Sequence, residues 1–214
     1  MMEAQAAVLI GTWTLVLLIA VALAFDFMNG FHDGANSIAT IVATGALTPK
    51  QAVFFAAAFN FVAIWVFQLK VAATVGKGVI EPSFVDHYVV FGCLVGALAW
   101  NIITWYYGIP SSSSHALIGG LVGATIAKIG GTQAIVWGSL WQLKGFFTVL
   151  SFIILSPLIG FIIGGLLQVG TAWVFRNKSP HQVGRWYMRA QLVSAALYSL
   201  AHGGNDAQKT IGVI

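Results

Sequence analysis

The chain has 214 residues, of which 58% are hydrophobic and only 7% charged, with a formal net charge of +4 and a mean hydropathy of +0.87. So little polar surface excludes a soluble globule of this length and makes the chain a polytopic, all-α membrane protein whose first partner is the lipid bilayer. Its ten basic residues give a pI of about 9.4 but are scattered among apolar runs, so they cannot track a phosphate backbone and nucleic acid is excluded as a partner.

Along the chain, the N-terminus carries Glu3 and no basic residue before its first apolar run, so it reads as a retained span rather than a secretory signal. Segments of about 20 residues, enough to cross roughly 30 Å of hydrocarbon, run from Val8 to Met28, Ala52 to Val75, Tyr88 to Gly108, Phe146 to Phe175 and Ala190 to Ile214. Two further apolar runs, Ala35 to Leu47 and Ala116 to Ala127, are too short to span, and each follows a polar motif. That pattern predicts broken or re-entrant helices. Leu47-Thr-Pro49 predicts a helix restart, Gly76-Lys-Gly78 with Pro82 a loop, Gly130-Gly-Thr132 a break, and Pro157 a kink.

Gly119, Gly120, Gly123 and Ala124, like Gly160 and Gly164, have the spacing that lets helices approach closely. Trp13, Trp100, Trp105, Trp137 and Trp141 read as interface anchors. The single cysteine, Cys93, allows no internal disulfide and no cysteine zinc site, and reads as a small buried residue. Arg176, Lys178, Arg185 and Arg189 gather four of the ten basic residues and, by the positive-inside rule, place 176–189 in the cytoplasm as a loop. The predicted organisation is a first transmembrane repeat at 1–175, that loop, and the start of a second repeat at 190–214.

Three stretches set polar groups inside this apolar sequence: Asn29-Gly-Phe-His-Asp-Gly-Ala-Asn36, Pro110-Ser-Ser-Ser-Ser-His115 and His202-Gly-Gly-Asn-Asp-Ala-Gln-Lys209. An ionisable group at the bilayer centre costs roughly 2.5 to 3.5 kcal/mol, so Asp33, Asp206 and Lys209 need partners or a wet cavity. Unpartnered hydroxyls in hydrocarbon each cost on the order of 1 to 3 kcal/mol. Ser111, Ser112, Ser113 and Ser114 therefore call for a polar ligand, and as the opening of a helix they offer it free N–H groups and a positive dipole, a setting for phosphate or another oxyanion. A hydroxyl can donate to a bare phosphate oxygen and accept from a protonated one. The plainer alternative is a serine-rich helix cap. His115 either donates to the ligand or caps its neighbours.

Setting Gly30-Phe-His-Asp33 against Gly203-Gly-Asn-Asp206 aligns two acids at the ends of apolar helices, as in duplicated transporter halves. Asp33 and Asp206 are the candidates for a coupling-ion site. A Na⁺ ion would take carboxylate, amide and backbone oxygens, whereas a proton needs only a carboxylate or an imidazole. Asn29 and Asn36 stand near the first acid, Asn205 and Gln208 near the second. The alternative is a structural ion pair in which Lys209 neutralises one acid. Asp26, seven residues before Asp33, lines the approach or pairs with a histidine.

These motifs, together with Ala58-Phe-Asn60-Phe, closely resemble those of the inorganic phosphate transporter family, PiT. The resemblance implies a symporter of two inverted halves without a cofactor or resident metal. Phosphate would be held by Ser111, Ser112, Ser113, Ser114 and His115 with Asn36, Asn205 and Gln208, and coupling ions by Asp33 and Asp206. Sodium-coupled members carry Gly-Ala-Asn-Asp-Val-Ala-Asn; here His32 stands at the first asparagine position and Lys209 at the last one of the second copy. An ammonium beside a Na⁺ ligand set repels the ion. The resemblance therefore leans to the bacterial, proton-coupled branch, with His32 and His202 handling protons or hydrogen bonding as neutral groups, and with a divalent metal accompanying phosphate in the substrate. It places the chain in the bacterial inner membrane and admits a homodimer. The family's second serine- or threonine-rich loop should follow the second acidic motif, so the chain reads as an N-terminal portion with one half and the opening of the next.

Other readings remain at this point. Sulfate is a second tetrahedral oxyanion that a serine-rich helix start accepts equally. An intramembrane serine hydrolase would need a serine–histidine pair, yet adjacent residues on one helix start point apart and no Gly-x-Ser-x-Gly elbow is present. A channel would use the same polar path passively.

Overall fold

The computed structural model describes residues 11–66, 78–142 and 144–213, the side chains of 142 and 207–213 excepted. The expectations for Glu3, for the end of the second span at Val75 and for Gly76-Lys77 fall outside these residues. Among them run six α-helices: α1 Thr12–Ala43, α2 Pro49–Val66, α3 His87–Tyr106, α4 Ser113–Ile129, α5 Phe146–Phe175 and α6 Pro180–Val213. Of the described helices α1, α2, α3 and α5 are long and apolar enough to cross a membrane.

The break expected at the start of Ala35–Leu47 is absent, because α1 continues for 32 residues through the first polar motif. Its buried residues, Leu18, Ala22, Phe25, Asn29, Asp33, Ser37 and Ile41, recur at intervals of three and four. They form one face of an unbroken helix. An intact helix keeps its backbone hydrogen bonds and still presents its polar side chains to protein, so the motif needs no unwinding. Gly30 and Gly34 weaken the helix without interrupting it.

The basic segment, expected as a loop over 176–189, is non-helical only as far as Ser179 and opens α6 from Pro180. Proline at the first helical position sacrifices no needed N–H, and the Ser179 hydroxyl accepts from the Gln182 N–H at 3.4 Å. The restart at Pro49 is present and takes the form of a capping box. Thr48 N–H donates to Gln51 Oε1 at 3.1 Å, and Gln51 N–H to Thr48 Oγ1 at 3.5 Å. Gly130, at φ 75°, ends α4 as the sequence predicts. Helix α5 passes through Pro157 without ending.

Helices α3 and α4 form an antiparallel hairpin whose tip is Tyr107–Ser112. At mid-length the Cys93 thiol donates to the Leu117 carbonyl at 3.3 Å, and a Cβ added at Gly120 would sit 2.6 Å from the Cys93 carbonyl oxygen. At its base Lys128 Nζ meets Asp86 Oδ2 at 2.9 Å. Of the glycines expected to allow close approach, Gly120 does so, while Gly119, Gly123, Gly160 and Gly164 have nothing within 4 Å. The hairpin packs on α1 in one apolar cluster that includes Leu18, Phe25, Leu94 and Leu117. Lipid is as apolar as these side chains, so close packing and polar contacts, rather than the hydrophobic effect, hold such helices together.

On the other side of α1, α6 runs antiparallel to it. Thr44 Oγ1 donates to Gln191 Oε1 at 2.9 Å, Ile41 shares a cluster with Ala195, and Asp33 lies near His202 and Asp206. Partners rise along α1 as they fall along α6, which sets the two polar motifs face to face.

Candidate functional site

Asp33, 9% exposed, is where the three motifs meet. It projects from the buried face of α1 between the hairpin tip and α6. From α4, the Ser113 hydroxyl lies 3.1 Å from Asp33 Oδ2 and also bonds to Asn29 Oδ1. From α6, His202 and Asp206 bring ligand atoms that lie, with one from Asp33, within 4.8 Å of one another. His202 Nδ1 is 2.9 Å from Asp206 Oδ2, a pairing of residues one helical turn apart. His32 Nδ1 approaches Asp33 Oδ1 at 3.4 Å, and Asn36 Nδ2 donates to the same oxygen at 3.5 Å.

One hydroxyl carries one hydrogen, so the two bonds of Ser113 coexist in only two ways. With Asp33 ionised, Ser113 donates to it and Asn29 must turn its amide N–H toward the hydroxyl. With Asp33 protonated, the acid can donate to Ser113, which then donates to the Asn29 carbonyl. The chain thus runs between Asp33 and Asn29, both on α1, through the Ser113 hydroxyl at the opening of α4, and its direction follows the proton on the acid.

The serine run begins this helix as expected. Ser112 is its N-cap and accepts from the His115 N–H at 3.4 Å, and Ser113 is its first residue, 1% exposed. An open cleft of about 610 Å³ lies beside the tip, lined by Trp100, Ser111, Ser112, His115, Gly119 and other residues of the hairpin. In it Trp100 Nε1 donates to Ser111 Oγ at 2.9 Å.

The motifs divide by position. Ser113 faces the acids, Ser111, Ser112 and His115 line the outer cleft, and Ser114 is half-buried between them in sequence. His115 is exposed and Asn205 is exposed on α6, so neither joins the buried cluster. Asp26 is exposed two turns before Asp33. The side chains of Gln208 and Lys209, and with them the proposed pairing of Lys209 with an acid, lie outside the described residues.

Sequence reasoning placed Asn29 beside the acid but not in the site. Its signal was the four-residue step to Asp33 within a helix that does not break. It missed Trp100, which reads as an interface anchor until its indole is seen on Ser111. It also missed two buried polar groups, the Asn101 amide nitrogen and the Ser199 hydroxyl, which have no side-chain hydrogen bond among the described residues.

Residues 29–214 match the phosphate transporter family. The chain is 56% identical over 200 residues to a protein of Rhizobium meliloti (strain 1021) named "Probable low-affinity inorganic phosphate transporter", covering 94% of this chain and 58% of that one. A protein of the same name in Bacillus subtilis (strain 168) is 45% identical over 201 residues, covering 93% and 58%. A solved structure titled "The sodium-dependent phosphate transporter" superposes with a TM-score of 0.75 at 20% identity, over 94% of this chain and 66% of the other. The chain thus spans little more than half the length of these two relatives, and the structural likeness shows the fold.

Proposed function

Because the chain belongs to the phosphate transporter family, we propose that it carries one substrate-and-ion site of a secondary symporter that moves inorganic phosphate across the membrane with protons. The observation that carries this reading is the contact of Ser113, at the opening of α4, with Asp33, which also faces His202 and Asp206. Serine hydroxyls and the first N–H groups of α4 form the anion-binding end, and two acids lie directly behind it. A phosphate oxygen at this tip is repelled by Asp33 and Asp206 at short range. Two unit charges 4 Å apart interact by about 1 to 4 kcal/mol between water and a surface-like dielectric. A cation or proton on the acids removes that repulsion, so substrate and coupling ion favour each other's binding, as symport requires.

The imidazoles support protons over sodium. His202 against Asp206 and His32 against Asp33 provide nitrogen bases inside the cluster, whereas Na⁺ prefers oxygen ligands throughout. Carboxylates and imidazole also suit a divalent metal travelling as cargo with phosphate. Phosphate is favoured over sulfate because a protonated phosphate oxygen can donate to the carbonyl oxygen of a neutralised Asp33, which sulfate at neutral pH cannot do. We place the protein in the bacterial inner membrane with the start of α6 facing the cytoplasm.

The test is radiolabelled phosphate uptake into proteoliposomes holding the purified protein. Uptake driven by an inward proton gradient without sodium supports the reading, and uptake that requires a sodium gradient overturns the choice of ion. Flux indifferent to either gradient would make the path a channel, and strong competition by excess sulfate would remove the preference for phosphate.

A further inference from the structure

The excess positive charge of this chain sits in one short segment. Arg176, Lys178, Arg185 and Arg189 lie where there is neither Asp nor Glu, and the six remaining basic residues equal the six acids in number. Among the described residues none of these four cations pairs with a carboxylate. The local charge is therefore uncompensated by protein and available to an external anion.

The segment is also shaped. From Pro180 it is helical, so Gln182, Arg185, Trp186 and Arg189, spaced by three and four, share one face, and they line a common cleft of about 170 Å³. Aromatic side chains mark the level of this face in the membrane. The Arg176 guanidinium lies 4.9 Å from the Trp173 ring at the end of apolar α5, and Phe175 packs on Tyr187 with ring centroids 5.5 Å apart. Such rings belong where hydrocarbon gives way to headgroups. The ring contact ties the end of α5 to the second turn of α6.

Two guanidiniums one turn apart can each present paired N–H donors to phosphate oxygens, with the Gln182 carboxamide beside them. The Trp186 indole offers an apolar wall to whatever carries that phosphate. We propose that this cleft binds the phosphate of an anionic lipid headgroup and anchors the α5–α6 turn in the cytoplasmic leaflet. A free phosphate ion would satisfy the arginines and leave the indole without a partner, so the lipid is the better match.

The protein, purified from membranes, is incorporated into phosphatidylcholine vesicles with or without phosphatidylglycerol, and the phosphatidylglycerol retained after extraction is counted by native mass spectrometry. Each basic residue near the surface contributes about 1 kcal/mol toward anionic lipid, so R185Q/R189Q should weaken retention by roughly thirtyfold. R185K/R189K, which keeps the charge but loses the paired donors, should fall between. Both arginines are exposed on a helix, so circular dichroism should be unchanged in either variant. Equal retention by R185Q/R189Q and the unmodified protein overturns the site. Displacement of the lipid by inorganic phosphate at equal headgroup concentration assigns the cleft to the free ion and overturns the lipid.

Discussion

Asp33 meets side chains from all three polar motifs, Asn29 and Asn36 flanking it on α1, Ser113 from α4 and His202 with Asp206 from α6, and its role is open to direct test. Asp33 shares a half-buried cluster with His202 and Asp206; removing a partner from a fully buried ion pair costs about 3 to 5 kcal/mol, and that cost, about a hundredfold or more in rate, is the upper bound here. Asp33→Asn, which keeps the volume and the hydrogen-bonding shape, should therefore nearly abolish gradient-driven uptake while membrane insertion, read by expression and extraction, stays normal. Unimpaired uptake would remove Asp33 from the coupling site. Ser113→Ala leaves Asn29 and Asp33 facing an apolar methyl group, at a cost of about 1 to 3 kcal/mol. Its KM for phosphate should rise by about fivefold or more. Ser112→Ala, by contrast, removes a helix cap worth about 1 kcal/mol and should show mainly as lower thermal stability. If both serine variants change KM alike, Ser113 has no special place beside the acid. From sequence the four serines were equivalent, and their distinction follows from which side of the first turn of α4 meets α1.

Among the elements, the α3–α4 hairpin is the rigid support of the site. It is closest at Gly120, where an added Cβ would lie 2.6 Å from the Cys93 carbonyl oxygen, and open at Gly123. Gly120→Val should force the helices apart and lower folded yield, whereas Gly123→Ala should be neutral or stabilise α4 by up to about 1 kcal/mol. Equal effects in a thermal-shift assay would contradict the packing. The hairpin base has a pH dependence of its own. Burial acts to raise the Asp86 carboxyl, but the Lys128 hydrogen bond, the Val89 N–H and the charges of Lys128 and His87 together hold it below its ordinary value of 3.8. A depressed carboxyl contributes stability that is present above its unfolded pKa and lost as pH falls through the folded one. Protection of the Val89 amide from hydrogen exchange should therefore be constant from neutrality to about pH 4 and fall below it. Asp86 and Lys128 are 33% and 40% exposed, so their ion pair contributes no more than about 1 kcal/mol. Protection lost well above pH 4 would mean another group holds the base.

For the whole molecule, the decisive arrangement is the antiparallel register of α1 and α6. Thr44 and Gln191 are hydrogen-bonded at 2.9 Å, so T44C/Q191C should form a disulfide under mild oxidation, while T44C/H202C should not. Cross-linking of the second pair alone would reverse the register and separate the acids. The sequence by itself determined the membrane class, most span positions, the helix restart at Pro49 and the identity of the acids and serines. Those features are written in composition, in local capping chemistry and in polar residues too costly to leave in lipid. It misread α1 as broken and residues 180–189 as loop. Glycines and charges look like interruptions when their partners are unseen, and the partners of Asp33 come from α4, 80 residues away, and from α6. Only the tertiary structure decided which serine meets the acid, that Asn29 completes the contact, that the Trp100 indole reaches Ser111, and that motifs far apart in the chain lie face to face. A side chain's surroundings in a membrane are set by the helices that pack against it, and a local stretch of sequence does not encode which helices those are.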